Sequence, residues 1–253
     1  MSARPAPRPL DIGRALDLAL LIYRRHFVAL VVAMAVAVVP LGLLTIAPSP
    51  WGVAGALLQS VVLAGVTPGI ATLIVSDARA GAEPTVASVW RRLAPMLVGL
   101  ILSVALAYAV AILSIVVFFV PFLLLVVWFQ FVGEVVVIER LRFLAAMGRS
   151  RRLVQGSYWR VAGYLILSFL ITGVATGVLA AAPTEAALQF GVHVDAATAI
   201  QDGLAIAARV LVALVGALLM ALLYFDLRMR HDGSDIAAML DAVPATPVAG
   251  APR

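Results

Sequence analysis

Long apolar runs alternate with short arginine-rich segments along most of the chain. Six of these runs have roughly the length of about 20 residues that a helix needs to cross the hydrocarbon core of a bilayer. We therefore predict an all-α integral membrane protein with six transmembrane helices. The predicted spans are residues 27–47, 53–75, 95–118, 122–138, 161–182 and 204–225.

The segments ahead of the first, third and fifth spans have a different pattern, with apolar residues three or four positions apart and polar residues between them. This spacing is typical of an amphipathic helix that lies on a membrane surface. The recurring order of amphipathic helix, arginine pair and two spans indicates three parallel repeats. The three pairs, each close to aromatic residues, are Arg24 with Arg25, Arg91 with Arg92, and Arg151 with Arg152.

The third of these segments has the highest density of arginine. We expect a surface helix of about 20 residues here, followed by entry into the bilayer near Val161. Its apolar residues expected to face lipid are Leu153, Val154, Tyr158 and Trp159. Its arginines expected to reach lipid phosphates are Arg149, Arg151, Arg152 and Arg160. Together with the first two arginine pairs, these four are candidate docking residues for anionic lipid or for a protein partner.

Two pairs of glycines, each four residues apart, lie inside predicted spans: Gly65 with Gly69, and Gly173 with Gly177. This spacing lets a neighbouring helix approach closely, so we expect tight helix packing at both places. Pro68, inside the first pair, predicts a kink in the second span.

Composition supports the same class of protein. Hydrophobic residues make up 64% of the chain, charged residues 12%, and the mean hydropathy is +1.10, whereas soluble domains carry about 25% charged residues. We expect one membrane domain over residues 10–235, between disordered ends at 1–9 and 236–253. The chain contains no cysteine, which excludes disulfides, thiolate catalysis and cysteine metal sites.

The distribution of charge predicts an orientation. All 18 basic residues are arginine, a bias typical of GC-rich bacterial genomes, and all of them except Arg209 fall in segments that six spans place on one side of the membrane. By the positive-inside rule, this side is cytoplasmic and carries both termini. We therefore expect a multi-pass protein of the bacterial cell (inner) membrane and no binding of nucleic acid.

Three stretches resemble a known family: Asp11–Phe27, Ala146–Arg160 and Leu223–Asp235, with the sequences DIGRALDLALLIYRRHF, AMGRSRRLVQGSYWR and LYFDLRMRHDGSD. The family is that of bacterial six-span membrane proteins related to the membrane domain of some glycerophosphoryl diester phosphodiesterases. The resemblance implies a six-helix membrane fold and carries no assigned chemistry. The phosphodiesterase barrel of the fused proteins has no counterpart in this sequence, so that activity is not expected.

Two ionisable residues lie inside predicted spans, and charge within a membrane points to function by default. Glu134 lies near the end of the fourth span, with Gln130 one turn away, and Arg209 lies in the sixth. A proton or cation role for Glu134 is one interpretation; a structural ion pair is the favoured one. The candidate partners for that pair are Arg91, Arg92 and Arg142. Arg209 is expected to extend toward the outer surface, and no ion pair between Glu134 and Arg209 is expected.

A charged cluster follows the sixth span. It consists of Asp226, Arg228, Arg230, Asp232 and Asp235. We expect these residues to form ion pairs that tie the end of the span to neighbouring helices, and a ligand site is the alternative. The three histidines are too scattered to form a metal site, and no cofactor motif is present in the sequence.

Two functions of different kinds fit these observations. The first, which the scarcity of charge inside the spans favours, is a non-enzymatic scaffold or accessory protein whose amphipathic helices bind anionic lipid or a partner. The alternative is a transporter or lipid-handling protein with a weakly polar central cavity. The residues expected to line that cavity are Gln59, Thr67, Ser103, Tyr108, Gln130 and Glu134.

Overall fold

The computed structural model describes residues 11–45, 51–117, 119–189 and 211–233, and these are helical apart from short turns. The predicted disordered ends, Arg209 and Asp235 lie outside these ranges. The helices are α1 Ile12–Arg25, α2 Phe27–Thr45, α3 Trp51–Arg79, α4 Val86–Leu93, α5 Leu97–Val117, α6 Phe119–Trp128, α7 Val132–Glu139, α8 Phe143–Val154, α9 Tyr158–Gln189 and α10 Leu211–Gly233, with a short 3-10 turn at Ala94–Met96. The prediction of an all-helical protein is confirmed for these ranges.

Five helical segments within the described ranges are long and apolar enough to cross a membrane. They are Gln59–Arg79, Val86–Ile115, Phe119–Glu139, Tyr158–Ala175 and Leu211–Gly233. A sixth is obtained if α1 and α2, which meet at an angle of 80°, are counted as one span. Several apolar helices of this length indicate a membrane protein.

The three junctions between amphipathic segment and span differ from one another. His26 separates α1 from α2 at the 80° bend. By contrast, α4 continues through the 3-10 turn into α5 as one segment, Val86–Ile115. Pro95 lies at the start of the 3-10 turn, where its missing N–H leaves no helical hydrogen bond unmade. The second segment is therefore not a separate surface helix.

Helix α8 packs against other helices of the protein along one face. It is 12 residues long, shorter than expected, and one of its faces is buried. Leu153 and Val154, expected to face lipid, are fully buried. Trp159, at the start of α9, is 85% exposed, in keeping with its expected position.

One face of helix α8 is buried because it packs against the break between α6 and α7. The fourth predicted span is broken into α6 and α7 by a turn at residues 129–131, which frees backbone polar groups. Ser150 of α8 donates from Oγ to the carbonyl of Trp128 at 2.7 Å and accepts from the N–H of Phe131 at 3.1 Å. Because buried backbone groups need partners, Ser150 anchors α8 against the break.

Glycine contacts confirm one of the two predicted packing sites. A Cβ atom at Gly65 would lie 3.6 Å from the Cα of Ile101 in α5, and one at Gly69 would lie 3.0 Å from Leu93. Gly173 and Gly177 have no such neighbour among the described residues, so no tight packing is found there within the part of the chain that the structure describes. The close approach to α9 is made instead by Gly216 of α10, which lies against Ser168 and Thr172.

Candidate functional site

A cavity of about 440 Å³ lies between α3, α5, the α6–α7 pair, α9 and α10. Most of its lining is apolar, from residues such as Leu63, Val104 and Met220. Its polar lining residues are Ser60, Thr67, Tyr108, Gln130, Glu134, Ser168 and Thr172. A cavity of this size and character falls within the range of ligand pockets, about 300–1,000 Å³.

Four of the six residues predicted to line a central cavity do so, namely Thr67, Tyr108, Gln130 and Glu134. Gln59 and Ser103 do not line it. The hydroxyl of Ser103 donates to the carbonyl of Gly99 at 2.6 Å and accepts from the N–H of Phe143 at 2.9 Å, so it holds the start of α8 against α5.

Sequence reasoning missed three polar residues of the cavity, which are Ser60, Ser168 and Thr172. A signal for the last two was present, because residues four positions apart lie on the same face of a helix. The hydroxyl of Ser168 donates to the carbonyl of Gly216 at 3.2 Å across the α9–α10 contact.

Glu134 is the charged residue of the cavity. It is fully buried, in the first turn of α7, and neither carboxylate oxygen has a hydrogen-bond partner among the described residues. The expected arginine partner is therefore wrong. Val136, two positions further along α7, lines a different pocket with Arg91, Arg92 and Arg142. Two residues correspond to about 200° around a helix, which puts Glu134 on the other face.

The backbone around Glu134 is shaped by a proline and a glycine. A Cβ atom at Gly133 would lie 3.1 Å from Cγ of Pro68, so α7 approaches α3 closely beside the cavity. Pro68 has no N–H, so the carbonyl of Ala64 lacks its usual helical donor. Both Ala64 and Pro68 line the cavity. The lining therefore combines the carboxylate of Glu134 with a residue, Ala64, whose carbonyl lacks its usual helical N–H donor.

At one end of the bundle, α7, α8 and α10 are joined by charge. Arg149 donates to Glu139 at 2.8 Å and to Asp232 at 2.7 Å. Arg228 of α10 lies 3.3 Å from Asp232 and 3.8 Å from Glu139, while the hydroxyl of Tyr224 donates to Glu139 at 3.0 Å. Partial burial lowers the pKa of Arg149, but its hydrogen bonds to Asp232 and Glu139 outweigh this and raise the pKa.

A second ion-pair group joins α9 to α10. Asp226 accepts from Arg160 at 2.8 Å and from Arg230 at 3.1 Å. The structure thus places four members of the predicted charged cluster, Asp226, Arg228, Arg230 and Asp232, in contact with neighbouring helices or with one another.

The predicted arginine pairs all lie in the last turn of a helix, in α1, α4 and α8. Arg25 forms an exposed ion pair with Glu83 at 3.1 Å, and Arg92 pairs with Asp77 at 2.7 Å. Arg151 stacks over the ring of Trp128 at 4.5 Å. Arg24, Arg91 and Arg152 are exposed. The described residues contain no cluster of three or more His, Asp or Glu side chains that could hold a metal ion.

Comparison with protein families gives one finding on the chain as a whole. The model described as "Domain of unknown function (DUF7847)" matches residues 84–227, which is more than half of the 253 residues. No curated protein and no solved structure matches the chain. None of these findings links it to the phosphodiesterase membrane domain that its sequence resembles.

Proposed function

The chain belongs to the DUF7847 family, whose function is unknown, and we propose that it is an integral membrane protein that binds an amphiphilic cation in the cavity beside Glu134. The two carboxylate oxygens of Glu134, buried without a partner among the described residues, carry this proposal. A buried carboxylate is costly unless it takes up a proton or pairs with a cation. An amphiphilic cation offers both the charge for Glu134 and the apolar groups for the remaining walls.

The chemistry of the lining supports binding or transport rather than catalysis. The other polar groups of the cavity are hydroxyls, including the phenol of Tyr108, and one amide, and the described lining holds no histidine and no second carboxylate beside Glu134. General acid–base or nucleophilic catalysis usually needs a positioned pair of such groups. We therefore propose a non-enzymatic transporter or lipid-handling protein.

Binding of a lipophilic cation tests the proposal. The probe is radiolabelled tetraphenylphosphonium, measured by equilibrium dialysis on the detergent-purified full chain, with tetraphenylborate as an anion of similar shape. Glu134→Gln keeps the size of the side chain and removes its charge. Glu83→Gln is the matched control, because Glu83 is 72% exposed and lies outside the cavity.

We expect the wild type and Glu83→Gln to bind tetraphenylphosphonium in preference to tetraphenylborate. Glu134→Gln should lose at least about tenfold in affinity, because removing one partner of a buried charge pair costs about 2–5 kcal/mol. Unchanged affinity in Glu134→Gln, or equal binding of the two probes, would refute the proposal.

A scaffold role is the second proposal, and the exposed arginines favour it. Arg24 and Arg152 form no ion pair with any described residue, so each is free to attract anionic lipid, an interaction of about 1 kcal/mol per residue near the surface. Arg149 and Arg160 already have carboxylate partners. We propose that these two residues hold the helices together instead.

The proposed topology has six spans, with both termini and the turn after α3 in the cytoplasm of a bacterial cell. Because the chain has no cysteine, a single introduced cysteine can be labelled without background. Ala82→Cys tests the turn after α3, and Ser49→Cys tests the loop that the sequence predicts at 48–52. A membrane-impermeant maleimide should label only Ser49→Cys in intact cells and both variants in broken cells. The reverse pattern, or labelling of both in intact cells, would refute this topology.

A further inference from the structure

Four arginines from two separate parts of the chain line one pocket of about 280 Å³. Arg91 and Arg92 come from the end of α4, while Arg140 and Arg142 come from the turn between α7 and α8. The remaining walls are Pro95, Met96 and Val136. This pocket is separate from the cavity at Glu134, since the two share no lining residue.

The positive charge of this pocket is only partly balanced. Arg92 pairs with Asp77 at 2.7 Å. The side chains of Arg91, Arg140 and Arg142 form no hydrogen bond or ion pair with any described residue. Like charges that converge on one concave site repel one another and create a strong positive potential. An anion in the pocket would remove this repulsion.

One donor of the pocket is also left unsatisfied. The Nε of Arg92 is buried and has no partner among the described residues, although the terminal nitrogen of the same guanidinium contacts Asp77. A buried N–H without an acceptor is costly, and structures rarely keep one without a reason. The guanidinium of Arg92, which lines the pocket, is therefore incompletely paired.

The backbone holds two of the arginines in place. Arg140 ends α7 in the left-handed conformation, with φ of 57°, which is uncommon for a residue other than glycine. Arg142 lies against the backbone of α5 at Gly99, where a side chain would collide with it. The local backbone conformation and the contact with α5 therefore help to place both arginines at the pocket.

We propose that the four-arginine pocket binds a phosphate group, carried either by a lipid headgroup or by a soluble anion. Guanidinium groups match the oxygens of phosphate in geometry as well as in charge, because each can donate two parallel hydrogen bonds. The site does not depend on the proposed function of the cavity, because it needs neither Glu134 nor a bound cation.

Two probes distinguish the sources of the phosphate group. Thermal unfolding of the full chain in phosphate-free neutral detergent is measured with inorganic phosphate against chloride at equal ionic strength, since a ligand that binds the folded state raises the Tm. Native mass spectrometry then compares retention of phosphatidic acid with retention of phosphatidylcholine. The site variant is Arg140→Gln/Arg142→Gln. The control, Arg14→Gln/Arg79→Gln, makes the same change of charge at exposed positions of α1 and α3 that do not line the pocket.

We expect the wild type and the control to bind one of the two phosphate probes, and the site variant to bind it about tenfold more weakly for each arginine removed. Stabilisation by inorganic phosphate identifies a soluble anion, and binding of phosphatidic acid alone identifies a lipid headgroup. Equal losses in the two variants would reduce the effect to general electrostatic attraction and overturn the proposal. Failure of both probes to bind the wild type would also overturn it.

Discussion

Gly99 lies directly against the side chain of Arg142. A Cβ atom at Gly99 would come within 2.8 Å of Nε and 3.0 Å of Cδ of Arg142. Glycine at this position of α5 therefore leaves the space in which one arginine of the four-arginine pocket rests. The consequence is that the pocket can be altered without removing any of its charges.

We expect Gly99→Ala to move the guanidinium of Arg142 and to weaken phosphate binding. Its stability should change little or rise, because Arg142 is exposed and can shift, and because alanine is favoured over glycine within a helix by about 1 kcal/mol. The measurement is the Tm with and without inorganic phosphate or phosphatidic acid. Gly148→Ala is the control, since a Cβ there meets no atom within 4 Å. An affinity in Gly99→Ala equal to that of the wild type would contradict this role for Gly99.

Ser150→Ala should destabilise the protein by removing the side-chain hydrogen bonds that link α8 to the break after α6. The carbonyl of Trp128 and the N–H of Phe131 would both lose their partner, and each buried unsatisfied group costs about 1–3 kcal/mol. The Tm in detergent measures the loss. Ser114→Ala is the comparison, because its hydroxyl donates to the carbonyl of Ala111 in the same helix and competes there with the helix backbone. Equal shifts of Tm in the two variants would argue against an anchoring role for Ser150.

The spacing of apolar residues predicts well which segments form helices. It predicts poorly whether a helix is buried by other helices. The apolar run after Phe27 and the amphipathic pattern before it were enough to predict both α1 and α2 and their junction at His26. The same kind of pattern ahead of the fifth span predicted a surface helix of about 20 residues with Leu153 and Val154 facing lipid, whereas both residues are buried by protein. A hydrophobic face looks the same in sequence whether it meets lipid or another helix, and here the break between α6 and α7 decides the outcome.

In the candidate site, the polar residues of the cavity could be predicted from the sequence, but their contacts with other helices could not. Thr67, Tyr108, Gln130 and Glu134 could be selected as cavity residues because polar side chains are rare inside apolar spans. The lack of an arginine partner for Glu134 among the described residues could not be predicted. It depends on which face of α7 turns toward the arginines, and the sequence without the helix packing does not fix that rotation. The convergence of Arg91 and Arg142 on one pocket depends on the same packing.

Gly133→Ala should destabilise the protein and disturb the cavity at Glu134. The new Cβ would lie 3.1 Å from Cγ of Pro68, and the rigid proline ring in α3 cannot move aside without moving its helix. Overpacking of this kind typically costs about 1–3 kcal/mol. Gly163→Ala in α9 is the control, because its Cβ has no neighbour within 4 Å. The Tm and the affinity for tetraphenylphosphonium should both fall in Gly133→Ala; an unchanged Tm would mean that α3 and α7 separate more easily than their contact indicates.

We expect a buried ion pair to contribute more to the free energy of unfolding than an exposed one. The variants Glu139→Gln and Glu83→Gln compare the two cases. The side chain of Glu139 is 13% exposed and contacts Arg149, Arg228 and Tyr224, whereas Glu83 is 72% exposed. Loss of charge at Glu139 should cost about 1.5–3 kcal/mol, because it weakens hydrogen bonds between charged groups. Loss of charge at Glu83 should cost no more than about 1 kcal/mol, since an exposed pair gains little over water.

The thermal unfolding of both variants, at low and at high salt, measures this difference. For a chain of this size, 1 kcal/mol corresponds to about 2–4 °C in Tm, so Glu139→Gln should show the larger shift. Salt should reduce the effect at Glu83 more than the effect at Glu139, because screening acts chiefly on exposed charges. Arg149 keeps its contact with Asp232 in Glu139→Gln, so the variant should still fold. Equal shifts of Tm in the two variants would contradict this expectation. They would show that the ion pairs around Arg149 stabilise the packing of α7, α8 and α10 no more than an exposed surface pair stabilises the protein.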